Sequence, residues 1–256
     1  MTAATVARRR LPVAVPAAIT LAWVAAVAAH ASGVADRFHH HALLAHGAVG
    51  LAGLAGYALV WCVMVAAMML PSAVPLLRLF AAVSAGQEGR GRLLAWFVGG
   101  YLAVWALFGG AALAFDDGVH RLTHALPWLA ARPWLVAAAT LGLAGAFQLS
   151  PLKDRCLTAC RHPAAYLLRH YRRGPGAAIR LGWGHGLWCL GCCWALMLVM
   201  FAAGVVDLRW MAALTALMAY EKIGRHGEAV AVVAGIAALA LAALVAVGQG
   251  WQSLGG

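Results

Sequence analysis

Residues 229–248 read Ala-Val-Ala-Val-Val-Ala-Gly-Ile-Ala-Ala-Leu-Ala-Leu-Ala-Ala-Leu-Val-Ala-Val-Gly, twenty residues without a charge or a polar side chain. A helix apolar on every side has no place at a water-facing surface. It does fit a bilayer, whose hydrocarbon core of about 30 Å needs about 20 apolar residues at a rise of about 1.5 Å each. The pattern recurs N-terminally at 13–31, 47–70, 93–115, 134–149, 181–204 and 210–222, giving seven candidate spans in all. The fourth and sixth are short. The sixth ends on Glu221 and Lys222, so a re-entrant or tilted interfacial segment is an alternative for it. The expectation is an all-α polytopic transmembrane helix bundle, a single domain over residues 1–256.

Composition agrees. The chain is 64% hydrophobic and 11% charged, whereas soluble domains are about half apolar and about a quarter charged. The formal net charge of +11 would suggest nucleic acid in a soluble protein, but topology accounts for it. With the N-terminus inside, Arg8, Arg9, Arg10, Arg78, Arg90, Arg92, Lys153, Arg155, Arg161, Arg169, Arg172, Arg173, Arg180, Lys222 and Arg225 fall on the inner side. Only Arg37, Arg121, Arg132 and Arg209 fall outside, a division of 15 to 4. That is the bias the positive-inside rule requires, and it predicts a multi-pass protein of the bacterial inner membrane with a cytoplasmic N-terminus. There is no arginine-rich helix with interleaved aromatics and no phosphate-cradling glycine loop, so nucleic acid is excluded as a partner. Arg8–Arg10, an apolar run and Ala29-His30-Ala31 have the outline of a signal peptide. The run of 19 residues exceeds a typical signal core, and a retained first helix is the reading adopted.

Small residues recur at helix-contact spacing, with Gly47, Gly50, Gly53 and Gly56 in the second span and Gly182, Gly184 and Gly186 opening the fifth. They predict close backbone approach, the usual way helices associate in lipid. Pro71 and Pro75 are expected to end or kink the second helix, and Pro151–Arg180 reads as a long basic loop.

Six cysteines carry the chemical signal. Cys156 and Cys160 are four apart and share a helix face. Cys189, Cys192 and Cys193 lie in the fifth span, two to three turns from its inner start, with Met197 and His185 extending their row. Cys62 lies toward the inner end of the second span, followed by Met64, Met68 and Met69. All six fall toward the cytoplasm, which keeps thiols reduced. Thiolate and thioether donors together suit Cu(I) best and Zn(II) next, and the spans lack the carboxylates that Ca(II) or Mg(II) would need. Cys62 and the methionines read first as packing groups and only second as ligands. Of the histidines, His39, His40 and His41 form a run on the outer side, and His120 and His124 stand at i, i+4, a pattern that suits metal capture. Glu221 is expected to bond a basic residue of the 151–180 segment or to lend an oxygen to a site, and Lys222 to snorkel to the inner interface.

Three segments carry a resemblance: Trp61-Cys62-Val63-Met64-Val65-Ala66-Ala67-Met68-Met69-Leu70-Pro71-Ser72, Pro151-Leu152-Lys153 with Cys156-Leu157-Thr158-Ala159-Cys160-Arg161, and Gly191-Cys192-Cys193-Trp194-Ala195-Leu196-Met197. Together with Trp210-Met211 leading to Glu221-Lys222, they resemble the motifs of an uncharacterised bacterial family of predicted metal-binding integral membrane proteins. The resemblance implies a membrane bundle that binds metal.

The function expected is transition-metal binding or transport, with copper as the ion and zinc second. Cys156, Cys160, Cys192 and Cys193 are the core ligands, and Cys189, Met68, Met69 and Met197 are auxiliary. Cys62, Met64, His185 and Glu221 are further candidates. Partners consistent with this are a metal carrier, another membrane protein or a second copy of the chain. A thiol–disulfide relay is the alternative, with Lys153, Arg155 and Arg161 activating Cys156–Cys160, and a membrane scaffold is the third. No serine–histidine–aspartate set, catalytic carboxylate pair or nucleotide loop is present.

Overall fold

The computed structural model describes residues 13–33, 51–203 and 207–254. Those residues form ten helices and no strand: α1 (Ala14–Ala31), α2 (Leu51–Val83), α3 (Arg90–Ala125), α4 (Pro127–Ala130), α5 (Trp134–Gln148), α6 (Pro151–Arg161), α7 (Pro163–His170), α8 (Pro175–Ala203), α9 (Leu208–Ile223) and α10 (Gly227–Leu254). The all-α bundle is as the hydropathy requires. Five helices, α1, α2, α3, α8 and α10, are long and apolar enough to cross a membrane. A sixth span results if α5 and α6 are taken together across their 63° bend. At 16 residues, α9 is only about 24 Å long, short of the hydrocarbon thickness.

The second helix neither ends nor breaks at its prolines. α2 continues through Pro71 and Pro75 for 33 residues. Pro71 has no N–H for the carbonyl one turn back, and that carbonyl, of Ala67, accepts from Trp23 Nε1 of α1 at 3.0 Å. A neighbouring helix thus supplies the missing donor, the usual remedy in membrane bundles.

The expected loop at 151–180 is also mostly helical, holding α6, α7 and the first turns of α8. Ser-Pro at 150–151 starts α6 cleanly. Ser150 caps it by accepting from the Lys153 amide at 3.2 Å, and Pro151 takes the first helical position. Because α8 begins at Pro175, Cys189 lies about 21 Å along a helix of about 43 Å. The thiols of α8 are therefore near its middle, not near one end.

α8 is the axis of the bundle, packed on α3, α5, α6 and α9, while α1 lies against α2 and α10 against α5. The approach of α3 and α8 depends on glycine. A Cβ on Gly182 would collide with the Phe97 carbonyl oxygen, and one on Gly100 with that of Ile179. Gly47 and Gly50 lie outside the described residues. Gly99 and Gly110, also on α3, face open space, which supplies a control. Gly182→Ala is expected to lower stability in detergent by about 1–3 kcal/mol through overpacking. Gly99→Ala should be neutral or stabilising by up to about 1 kcal/mol. Thermal melting of the two purified variants checks both.

Candidate metal centre

α6 is amphipathic, burying Lys153, Cys156, Leu157 and Cys160 while its other side chains are more exposed. The bend after α5 turns that stripe onto α8 and α9. Lys153 and Glu221 meet at 2.6 Å, and neither side chain has any exposure. Gln148 Nε2 donates to the other Glu221 oxygen at 2.6 Å, and Lys153 Nζ donates also to the Cys192 carbonyl at 2.7 Å. One ion pair thereby joins α5, α6, α8 and α9. Just beyond, Arg161 donates to the Glu221 and Gly224 carbonyls at 2.6 and 3.0 Å, fixing the end of α9.

Two turns along α6 from Lys153, the sulfur of Cys160 lies 3.8 Å from that of Cys192, which in turn is 3.4 Å from that of Cys193. Cys192 also donates to the Cys189 carbonyl at 3.1 Å. Cys189 extends the cluster through a side-chain hydrogen bond with Cys193, and the Tyr101 hydroxyl and Lys222 Nζ each lie 3.0 Å from its sulfur. Lys222 Nζ donates in addition to Ser72 Oγ at 3.1 Å. Ser72 donates onward to the Met69 carbonyl at 2.8 Å, which Tyr101 also reaches at 3.3 Å. Lys222 is thus buried, with its ammonium held by Ser72 and Cys189 instead of snorkelling as expected.

The remaining candidates divide. Cys156 packs over Gly191, where a Cβ would come within 2.7 Å of its sulfur, and it makes no recorded contact with another thiol. Met64, Met68, Met69 and Met197 are buried in the same continuous core as the α8 thiols. His185 stacks on Tyr101 with ring centroids 5.8 Å apart. Cys62 is half-buried and about 15 Å along α2 from Ser72, so it stands apart from the cluster. Glu221 has its carboxylate engaged by Lys153 and Gln148, as one of the two expectations had it. Near the far end of α3, His120 and His124 bring their Nε2 atoms within 3.2 Å. His39, His40 and His41 lie outside the described residues. All six cysteines are free thiols. Among the described residues, no three His, Cys, Asp or Glu side chains already stand as a metal cage.

The sequence does not single out Tyr101 or Ser72, and it gives Lys153 and Lys222 other parts, as an activator of the relay thiols and a snorkelling residue. The clearest missed signal is the spacing of Lys153, Cys156, Leu157 and Cys160, a helical stripe running through what looked like a basic loop.

A bundle with helices long enough to cross a membrane thus encloses a sulfur-rich centre bordered by buried ammonium groups. The sequence profile of the PpoB2 family, described as copper chaperones, matches residues 58–245, and the chain belongs to that family. No curated protein and no solved structure matches it. The matched region runs from the start of α2 into α10 and contains every residue of the centre described above.

Breaking the buried pair leaves a charge without a partner in an apolar interior. Lys153→Met or Glu221→Leu alone should each cost about 3–5 kcal/mol, while the double substitution should recover most of that loss. Denaturant unfolding in detergent measures all three.

Proposed function

We propose that the protein is a membrane-embedded copper(I) chaperone of the bacterial inner membrane, with its N-terminus in the cytoplasm. In this reading Cys160 of α6 and Cys192 and Cys193 of α8 take the ion as cargo. The observation that carries it is the run of sulfurs spaced 3.8 and 3.4 Å apart across two helices. An ion about 2.3 Å from each sulfur, a typical metal–thiolate distance, would bridge these pairs at angles of about 110° and about 95°. A small opening of the α6–α8 gap widens the first angle, whereas the second is set within α8. Cu(I) accepts such soft donors with few partners, so the absence of a three-sided cage among the described residues does not weigh against it. Zn(II), which wants four ligands in a closed tetrahedron, is less well served.

Cys189, Met68, Met69 and Met197 are the auxiliary sulfurs of this proposal, close enough in sequence and core position to receive the ion during hand-over. Cys156 belongs to the α6 packing in this reading. The His120–His124 pair, with two imidazole nitrogens side by side, is the candidate for outer capture. The thiol relay is less well supported. A relay thiolate must meet its partner protein, and Cys156, Cys160, Cys189, Cys192 and Cys193 are each at most 9% exposed.

Competition with a colorimetric Cu(I) chelator under reducing conditions tests the proposal. The expected result is one tightly held Cu(I) per chain, loss of that ion in Cys192→Ser, and at least about a tenfold weaker affinity in Cys160→Ser, equivalent to about 1.4 kcal/mol. Cys62→Ser should bind as the wild type does. A folded, fully reduced wild-type protein that takes up no copper would refute it.

A further inference from the structure

Among the described residues of the centre, Lys222 is the buried charge that no carboxylate balances. The residue is 6% exposed, and the hydrogen-bond partners of its ammonium are a hydroxyl and a thiol, Ser72 Oγ at 3.1 Å and Cys189 Sγ at 3.0 Å. The nearest carboxylate in sequence, on Glu221, points away and is held by Lys153 and Gln148. Among the described residues Lys222 has no ion pair with a carboxylate. A buried charge is costly unless something opposite in sign accompanies it. A metal–thiolate complex in the adjoining sulfur cluster would be such a group.

We infer that Lys222 is the built-in counter-cation of the cargo, so that the centre is electrically matched to a monovalent ion on two thiolates. This rests on the thiol reading above and adds the basis of metal choice. Each thiol that becomes a ligand gives up its proton to solvent or to the donor molecule. With two of the three thiols ligating as thiolates and the third keeping its proton, the pair and Cu(I) sum to one negative charge, and Lys222 brings the total to zero. Two thiolates and Zn(II) sum to zero on their own, and Lys222 leaves them with one uncompensated positive charge. In a low-dielectric interior that difference favours Cu(I). Ser72 and the Met69 carbonyl keep the ammonium on station: Ser72 spends its proton on that carbonyl and so presents a lone pair to Nζ. Ser72 lies just after the α2 proline, where the serine completes the Met-Met-Leu-Pro-Ser run, so this motif supports the counter-cation through a hydroxyl rather than only through its sulfurs.

The test is the ratio of Cu(I) to Zn(II) affinity, each measured by chelator competition on the full-length protein in detergent. Lys222→Met is expected to weaken Cu(I) by about 10–100-fold, the size typical of groups that support metal ligands, while Zn(II) holds or tightens. Lys222→Arg, which keeps the charge, should stay within a few-fold of wild type for both ions. If Lys222→Met does not fold, Lys222→Gln makes the same comparison with a donor to Ser72 retained. A merely structural lysine would lower both affinities together, and an unchanged ratio in the neutral variants overturns the inference. Cys192→Ser in the same assay separates the two levels. Copper retained by Cys192→Ser removes the thiol site and this inference with it. Copper lost by Cys192→Ser, with an unchanged ratio in Lys222→Met, removes only the counter-cation.

Discussion

Lys153 and Glu221 meet at 2.6 Å with no exposure on either side chain, and the centre depends on that contact. α6 is a short, detached helix, joined to α5 through a 63° bend and too polar on its outer side to be held by lipid. Its ammonium reaches both the α9 carboxylate and the Cys192 carbonyl of α8. Cys160, two turns further along the same face, is thereby carried to within 3.8 Å of Cys192. A neutral contact could not substitute easily, since helices packed in an apolar surrounding gain little from burying more apolar surface. Polar pairs and glycine contacts supply the missing specificity: Trp23 on the Ala67 carbonyl, Arg161 on the end of α9, and Gly182 against Phe97.

Charge and sulfur then divide the interior between them. Lys153 is matched by Glu221 and makes structure. Among the described residues Lys222 is matched by no carboxylate, and it meets the Cys189 thiol. Under the proposed reading these two lysines, both buried, have opposite parts: one locks the helices that present the ligands, and the other answers the charge of the cargo. The placement of the thiols at the middle of α8, rather than at its end, suits a protein that shelters Cu(I) from solvent until a softer or better-placed acceptor meets it.

Much of the fold was legible in the sequence. The uncharged run at 229–248 and its six counterparts predicted a helical bundle, and the glycines at 182 and 186 predicted close packing, because period and side-chain size act locally. Features that depend on a partner helix were not legible. Pro71 and Pro75 looked like the end or a kink of the helix, and it does not end at Pro71 because an indole 44 residues away satisfies the Ala67 carbonyl. The 151–180 segment looked like a loop because its arginines dominate a composition-based reading, although its period-3.6 stripe was present. Lys222 looked like a snorkelling residue because its partners, Ser72 of α2 and Cys189 of α8, lie far from it in sequence. In the centre, the convergence of Cys160 on Cys192 follows from the α5–α6 bend, which no spacing within either motif encodes. Cys156 and Cys160 were indistinguishable by position, yet only Cys160 reaches another sulfur.

X-ray absorption at the copper K-edge of the Cu(I)-loaded protein tests the central claim most directly. The account predicts a first shell of sulfur alone at about 2.3 Å, without the outer-shell scattering of an imidazole ring. A shell made up of nitrogen or oxygen neighbours would contradict it and would move the ion away from Cys160, Cys192 and Cys193.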